Sequence, residues 1–325
     1  MMTDFSSPGK PGLTLTGWRL PAVLLALVAV TYVLAALSAV ALHRYLLPAL
    51  PADWSAALLR RGEGKLMTRM LQLWLVLLLP LALRVSGWRG WRDCGWRNLE
   101  RRARPAWLDV VKGVWVGVAT LGSLALFMYL TERRLASQLD MARSLTGVII
   151  SYAFSALVVS LFEETLARGI IFRLWSRLWG VLLAALVSSG LFAAAHFINP
   201  DGAAFKLPGF WEAAWALVGS AVRLDTAEAA FFVRLFNLTL LGLALCAMVR
   251  LTGTIWLAVG AHAGWVFSIK LNNFFTDAVP PPLRSRFWGA RGDLTDSVAG
   301  TLALLAVLLV VLWLLRRSAR RGVPG

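Results

Sequence analysis

Long apolar runs separated by short polar segments dominate the chain. Each run approaches the ~20 residues that an α-helix needs to cross a hydrocarbon core about 30 Å thick. The pattern therefore predicts an all-α fold, a polytopic bundle of about eight transmembrane helices. The predicted spans are residues 20–43, 66–85, 108–130, 145–175, 180–198, 234–250, 253–271 and 298–315.

Composition supports a membrane protein. Of the 325 residues, 58% are hydrophobic and only 15% are charged, whereas about a quarter of the residues in a soluble domain are charged. The net charge is +16, but the arginines collect between the apolar runs, where membrane topology and anionic lipid headgroups account for them. We therefore expect a multi-pass protein that contacts anionic headgroups and binds no nucleic acid.

The positions of the basic residues predict the orientation in the membrane. The loop after the second predicted span and the C-terminal tail are rich in arginine, which favours cytoplasmic N- and C-termini. The bias toward Ala, Leu and Arg points to a bacterial inner membrane. The organisation that we expect is a cytoplasmic segment over 1–19, accessory helices with a basic, Trp-rich loop over 20–130, a transmembrane core over 145–271, and a final helix with a basic tail over 298–325.

Three charged residues, Glu163, Glu164 and Arg168, interrupt the fourth predicted span. A lone charge at the centre of a membrane helix costs from about 2.5 to more than 10 kcal/mol, so such groups usually face one another, a cavity or a substrate. Positions i and i+4 share a helix face, so Glu164 can pair with Arg168, while Glu163 is turned toward neighbouring helices. The cluster is either an active site or a buried polar network that only fixes helix packing.

Two of the three histidines, His196 and His262, lie within predicted spans. A helical hairpin turning at Gly180 would bring Glu163 and His196 to matching depth, each about 25 Å from the turn at 1.5 Å per residue. Phe192, one turn before His196, would place a ring beside the imidazole. His262 has glycine and alanine neighbours, which permit close approach of another helix or of a substrate. A lone membrane histidine can also serve only to hydrogen-bond helices together.

Three short motifs follow one another in this core: Glu-Glu-x-x-x-Arg at 163–168, Phe-x-x-x-His at 192–196, and a later membrane histidine at 262. In this order and inside apolar segments, they resemble the CPBP family of intramembrane proteases, also called the CAAX-protease and bacteriocin-processing, or Abi, family. The resemblance covers roughly residues 145 to 270. It implies a glutamic-type, metal-free intramembrane endopeptidase that acts on a membrane-associated substrate, prenylated or otherwise lipid-modified.

The resemblance also implies roles for these residues. Glu163 and His196 would activate the attacking water, with Glu164 and Arg168 in support, and His262 would stabilise the oxyanion. A carboxylate sheltered in apolar surroundings can act as a general base, which agrees with this assignment.

One position departs from the family pattern. Family members usually follow the last histidine with Asn or Asp four residues on, whereas this chain has Val266. The loss of one oxyanion donor can cost roughly 3–4 kcal/mol of transition-state stabilisation. Asn199, one turn beyond His196, and Asn272 are candidate substitutes, and Asn199 is also a candidate substrate-binding residue together with Phe192.

Three alternatives remain open at this point. Glu163, His196 and His262 could bind a catalytic zinc ion, since one carboxylate and two imidazoles suit that metal. Val266 raises the possibility of a catalytically impaired member that acts as a membrane scaffold, chaperone or self-immunity protein. A proton-coupled transporter is disfavoured because the sequence has no inverted repeat. The metal-free protease is favoured because of the resemblance.

Overall fold

The computed structural model describes residues 19–59, 62–85, 94–96, 105–132, 134–136, 144–220, 229–278, 287, 289 and 294–320. The predicted cytoplasmic segment 1–19 lies outside the described residues, apart from Arg19, as does most of the Trp-rich loop. The described residues are almost entirely helical, as predicted. The α-helices are α1 (Arg19–Ala41), α2 (Ala52–Leu59), α3 (Gly64–Val85), α4 (Ala106–Gly117), α5 (Ser123–Leu130), α6 (Leu145–Glu164), α7 (Arg173–Trp179), α8 (Val181–Ala195), α9 (Phe210–Ser220), α10 (Ala229–Thr252), α11 (Trp256–Phe275) and α12 (Val298–Arg320).

Shorter elements connect these helices. Strand β1 (Arg134–Ala136) pairs antiparallel with β2 (Thr276–Ala278), with Leu135 opposite Asp277, so a small two-stranded sheet links the segment after α5 to the end of α11. The remaining turns of helix are Leu42–Leu46, Leu47–Ala49, Val118–Gly122, Thr165–Phe172, Gly202–Lys206 and Leu294–Asp296.

Six helical segments in the described part of the chain are long and apolar enough to cross a membrane. They are Leu25–Ala49, Gly64–Leu81, Ala106–Leu130, Leu145–Trp179, Ala229–Thr252 and Val298–Arg320. The chain is therefore a multi-pass integral membrane protein with a helical bundle, as predicted. The count of eight spans is not confirmed, because the windows 180–198 and 253–271 correspond to α8 and α11, which are not among the six.

The placement of His196 inside a predicted span was wrong. Helix α8 has 15 residues and ends at Ala195, so His196 lies in the turn that follows, where it is exposed. Apolar composition continues through Phe197 and Ile198 although the helix does not, which is why hydropathy alone extended the span.

The described residues form two compact units. Of the described residues, those within 94–193 and 229–320 belong to the first unit, and those within 19–85 and 194–220 belong to the second. The four-part organisation expected from the sequence stays a prediction.

Helix α11 lies at the centre of the first unit, where it packs against α4, α6 and α10. The contact with α4 is made by two pairs of glycines, Gly113 and Gly117 on α4 and Gly260 and Gly264 on α11. A Cβ atom at Gly260 would lie 2.1 Å from the carbonyl oxygen of Val110. Small residues four apart on both helices thus let the two backbones touch, as in many membrane helix pairs.

Helical structure continues beyond the end of α6 at Glu164. It passes through a π-helical segment, Thr165–Phe172, and then through α7, whose C-cap is Gly180 with φ +80°. The turn expected at Gly180 is therefore present as a break between α7 and α8. The Ser188 hydroxyl donates to the Ala167 carbonyl at 2.9 Å, so α8 satisfies a backbone group within the widened turns. Such π-turns are frequent at functional sites.

Cys94, Gly95 and Trp96 of the basic, Trp-rich loop are described, and they pack inside the first unit. The Gly95 carbonyl accepts from the Ile255 amide at 3.0 Å, and the Trp96 carbonyl accepts from the Trp256 indole at 2.9 Å. This part of the loop holds the start of α11. The rest of the loop, where headgroup contact was expected, lies outside the described residues.

The second unit is built on α1, α3 and α9, whose buried core combines alanines such as Ala35 and Ala213 with larger side chains such as Met67. It also contains an open polar cavity of about 470 Å³, lined among others by Glu63, Lys65, Asn199, Asp201 and Lys206.

The glycine contact between α4 and α11 predicts a position that does not tolerate a methyl group. We expect Gly260→Ala to destabilise the protein by roughly 1–3 kcal/mol, because overpacking forces the two backbones apart. Thermal unfolding of the purified protein in detergent measures the effect. Gly190→Ala on α8 is the matched control, because no atom lies within 4 Å of the added Cβ. Equal melting temperatures for the two variants would contradict the prediction.

Candidate active site

Glu164 and Arg168 form a fully buried ion pair in the first unit. Arg168 Nη1 lies 2.9 Å from Glu164 Oε1, and both side chains have 0% of their surface exposed. The i, i+4 spacing on one helix face brings the two groups together, as the sequence analysis expected. Burying an ion pair carries a large desolvation penalty, and removing one partner would leave an uncompensated charge.

His262 of α11 joins this pair from the opposite helix. Its Nδ1 atom lies 2.9 Å from Glu164 Oε1, so a proton on Nδ1 would be donated to a carboxylate that Arg168 also contacts. This hydrogen bond favours the tautomer in which Nε2 carries the lone pair. The sequence analysis had left open what His262 meets.

Glu163 faces the other side of the same imidazole. Its Oε2 atom lies 3.8 Å from His262 Nε2, which is too long for a direct hydrogen bond. The Glu163 side chain is 28% exposed, against 0% for Glu164. Neighbouring glutamates on one helix therefore occupy different environments: one is buried and paired, and the other is accessible.

Phe192 of α8 closes one side of the cluster. Its ring centre lies 4.4 Å from the Arg168 guanidinium carbon, and its ring stands edge to face with the His262 imidazole at 5.8 Å. A cation over an aromatic face is stabilised most where water is excluded. The aromatic wall that the sequence analysis placed beside His196 thus contacts His262 and Arg168.

The first unit therefore brings together five of the seven residues singled out by sequence: Glu163, Glu164, Arg168, Phe192 and His262. The other two, His196 and Asn199, belong to the second unit. There the Asn199 side-chain oxygen accepts a hydrogen bond from Lys65 Nζ at 3.2 Å. The predicted partnership of Glu163 with His196 stays a prediction.

The positions of the side chains that could bind a metal ion are relevant to the zinc alternative. Among the described residues, no three His, Cys, Asp or Glu side chains are grouped as ligands of a metal ion. His262 Nδ1 is directed at Glu164, so only its Nε2 would be left to face a metal. The choice between a metal-free and a zinc-dependent site stays a prediction.

The sequence analysis passed over one charged residue in this region, Lys270 of α11. Its Nζ atom lies 2.5 Å from Ser155 Oγ of α6. Its position inside the predicted span 253–271 could have identified it from the sequence, because ionisable residues in apolar spans are rare and usually functional.

Comparison with known proteins identifies the region that contains this cluster. Residues 144–268 match a family model described as Rce1-like, type II CAAX prenyl endopeptidase. This range agrees with the residues 145 to 270 over which the resemblance was drawn, and the resemblance is confirmed. A search of curated proteins and a search of solved structures each found no match.

The buried ion pair predicts a specific pattern of stability. We expect Arg168→Met to destabilise the protein by about 3–5 kcal/mol, because it leaves the Glu164 carboxylate buried without its cation. Adding Glu164→Gln in the same chain should restore much of that loss, since the uncompensated charge is then removed. Unfolding in detergent measures all the variants.

Arg316→Met, a change of an exposed arginine near the end of α12, is the control and should leave stability close to that of the unchanged protein. A double variant no more stable than Arg168→Met would show that the charge of Glu164 is not the source of the loss.

Proposed function

We propose that this protein is an intramembrane endopeptidase of glutamic type, because residues 144–268 match the family model described as Rce1-like, type II CAAX prenyl endopeptidase. Its substrate is a membrane-associated polypeptide, prenylated or otherwise lipid-modified, cut near its end. The observation that carries the proposal is the contrast between two adjacent glutamates on either side of His262, Glu164 buried and paired and Glu163 accessible.

Glu163 is the proposed general base. Its carboxylate takes a proton from a water molecule while the water oxygen attacks the scissile carbonyl carbon. The resulting tetrahedral intermediate then breaks its C–N bond, and the proton passes to the leaving amine. The products are a new carboxyl terminus and a free amine, with no covalent enzyme intermediate. Partial exposure of Glu163 supports this role, because water and substrate can reach it.

Glu164, Arg168 and His262 are proposed to prepare the site. Glu164 and Arg168 hold the imidazole through Nδ1, which leaves Nε2 directed toward Glu163 and the reacting atoms. In the imidazolium form Nε2 also carries a proton, which it can donate in a hydrogen bond to the developing oxyanion. A histidine held by a carboxylate is a recurring arrangement in hydrolases, because the carboxylate fixes its tautomer and stabilises its charged form.

His196 is proposed to act with Glu163 on the water, and Asn199 and Phe192 to contact the substrate. We propose that no metal takes part, with a zinc ion bound by Glu163, His196 and His262 as the alternative. The arginine-rich loops favour cytoplasmic termini in a bacterial inner membrane and contact with anionic headgroups.

The proposal predicts that Glu163→Gln lowers cleavage of a prenylated peptide at least about 100-fold, because the amide cannot accept the proton from water. Mass spectrometry of peptide products, with the protein in lipid nanodiscs, measures the rate. Glu212→Gln, a change of an exposed glutamate on α9, is the matched control and should leave the rate unchanged.

The same assay separates the metal-free mechanism from the zinc alternative. A zinc chelator should leave the rate unchanged if Glu163 acts directly on water, and a loss restored by added zinc would support the alternative. Undiminished cleavage by Glu163→Gln would overturn the proposed base.

A second candidate function follows from Val266. This half-buried residue lies one turn after His262 on the same face of α11, where family members usually carry Asn or Asp. A chain without that oxyanion donor suits a catalytically impaired member that acts as a membrane scaffold or self-immunity protein.

The impaired-member hypothesis predicts that Val266→Asn raises the turnover of the same peptide at least about tenfold, because a single oxyanion donor can contribute roughly 100-fold or more. Val266→Leu keeps the site apolar and should show no gain. If the unchanged protein cleaves the peptide and Val266→Asn brings no increase, the hypothesis of impairment fails and Val266 is compatible with full activity.

A further inference from the structure

The polar cavity of the second unit carries side chains of both charges. It has a volume of about 470 Å³ and is lined among others by Glu63, Lys65, Asn199, Asp201 and Lys206. Glu63 and Lys65 come from the start of α3, and the other three come from the segment that follows α8. The volume lies within the range of about 300–1,000 Å³ that small-molecule sites occupy. A ligand with one negative and one positive group would match this lining.

Two backbone segments are pressed together beside the cavity. A Cβ atom at Gly64 would lie 2.2 Å from the carbonyl oxygen of Pro200, and a Cβ atom at Gly202 would lie 3.2 Å from the amide nitrogen of Gly64. Arg44, which follows α1, donates to the carbonyl of Gly209 at 3.0 Å and so ties the chain after the cavity to α1. The cavity is therefore built from segments that hold one another in place.

The cavity lies where two membrane spans end. Helices α1 and α3 pack against each other, and His43 Nε2, just after α1, lies 3.5 Å from Glu63 Oε1, just before α3. The apolar segment Leu25–Ala49 therefore ends, and Gly64–Leu81 begins, at the same membrane face. Beyond the hydrocarbon core, which is about 30 Å thick, lies the headgroup layer. The cavity is thus placed at the depth of lipid headgroups.

Exposed aromatic side chains of the same unit support this depth. Tyr45, Trp54 and Trp211 are all exposed, and the Tyr45 ring is stacked against Phe210 with centres 6.4 Å apart. Trp and Tyr concentrate at membrane–water interfaces, where one part of the ring system is apolar and the other meets water.

We propose that this cavity binds the headgroup of a membrane phospholipid that carries a primary ammonium group, with the phosphate at Lys65 and Lys206 and the ammonium at Glu63. The inference goes beyond the proposed function and does not depend on it, because binding of the lipid requires no cleavage.

The two lysines supply the phosphate end of the site. Lys65 Nζ donates to Asn199 Oδ1 at 3.2 Å, a contact that uses one of its three donors. Lys206 is exposed at the end of the turn Gly202–Lys206. Lysine binds phosphate as a point charge, and hydrogen bonds between ionised partners are stronger than neutral ones. Two ammonium groups on one cavity therefore favour a phosphate over an uncharged group.

Glu63 supplies the other end. Its side chain is 35% exposed, and its Oε2 atom lies 3.6 Å from the Cβ position of Gly202, another residue of the cavity. A carboxylate accepts hydrogen bonds from a primary ammonium group, whereas a trimethylated ammonium group has no N–H to donate. A headgroup with a phosphate and no ammonium would place like charges side by side, which is unfavourable. The cavity therefore distinguishes phosphatidylethanolamine from both phosphatidylcholine and phosphatidylglycerol.

The experiment measures lipid binding to the purified full-length protein by native mass spectrometry. The protein in detergent is titrated with the three lipids, all with the same acyl chains. We expect phosphatidylethanolamine to bind at least about tenfold more tightly than either of the others, as charge-assisted hydrogen bonds supply. Equal affinities for the three lipids would overturn the proposal, and this test needs no variant to fold.

Substitutions assign the two ends of the site. Glu63→Gln should lower the affinity for phosphatidylethanolamine at least about tenfold and leave that for phosphatidylglycerol equal or higher, because a like charge is removed. A loss for both lipids would show a merely structural role and would overturn the assignment of the ammonium to Glu63. Glu212→Gln, a change of an exposed glutamate on α9, is the matched control and should alter neither affinity.

The double variant Lys65→Gln, Lys206→Gln should lower the affinity for all three lipids at least about tenfold, because each of them carries the phosphate. Lys112→Gln, a change of an exposed lysine on α4, is its control and should have no effect. Unchanged lipid affinities in the double variant would overturn the assignment of the phosphate to these lysines.

A soluble ligand is distinguished from a lipid by the same titration. Phosphoethanolamine carries the two charged groups without acyl chains, and we expect it to bind at least about tenfold more weakly than the lipid, because acyl chains hold the lipid at the depth of the cavity. Equal affinity for the soluble compound would overturn the lipid as the ligand.

Discussion

The arrangement of the helices at the centre of the first unit depends on the contacts of one oxygen atom, Oε1 of Glu164. Glu164 Oε1 lies 2.9 Å from Arg168 Nη1 and 2.9 Å from His262 Nδ1, in a place where the carboxylate has no exposed surface. Breaking a buried ion pair leaves an uncompensated charge at a cost of about 3–5 kcal/mol, so the π-helical segment after α6 must present Arg168, and α11 must present His262, at the depth of Glu164. This requirement sets the register of the two helices, and the contact of Lys270 with Ser155 follows from it.

This register brings His262 to Glu164 only if α11 is also held in one orientation about its axis. Gly260 and Gly264 fix that rotation, because they lie directly against the backbone of α4 at Val110 and Val114, where a side chain would clash. Successive helical residues are turned by about 100°, so His262, two positions from each glycine, points away from α4 and toward α6. The close glycine contact and the ion pair thus act on opposite faces of one helix. Together they direct Nε2 of His262 toward Glu163.

Local features of this arrangement were predictable from the sequence, and long-range ones were not. The pairing of Glu164 with Arg168 follows from helix periodicity, and the turn at Gly180 follows from a glycine between two apolar runs. Hydropathy could not locate the end of α8 before His196, because apolar residues continue past the helix. The contact of His262 with Glu164 joins residues 98 positions apart, and no periodicity within either span determines which helices become neighbours.

The helix geometry also explains how two adjacent glutamates acquire separate tasks. A turn of about 100° between them is enough to send Glu164 into the core and Glu163 to the accessible edge, without any other difference in chemistry. A carboxylate held by Arg168 and His262 is committed to structure, whereas the Glu163 carboxylate, whose side chain is 28% exposed, is available to water.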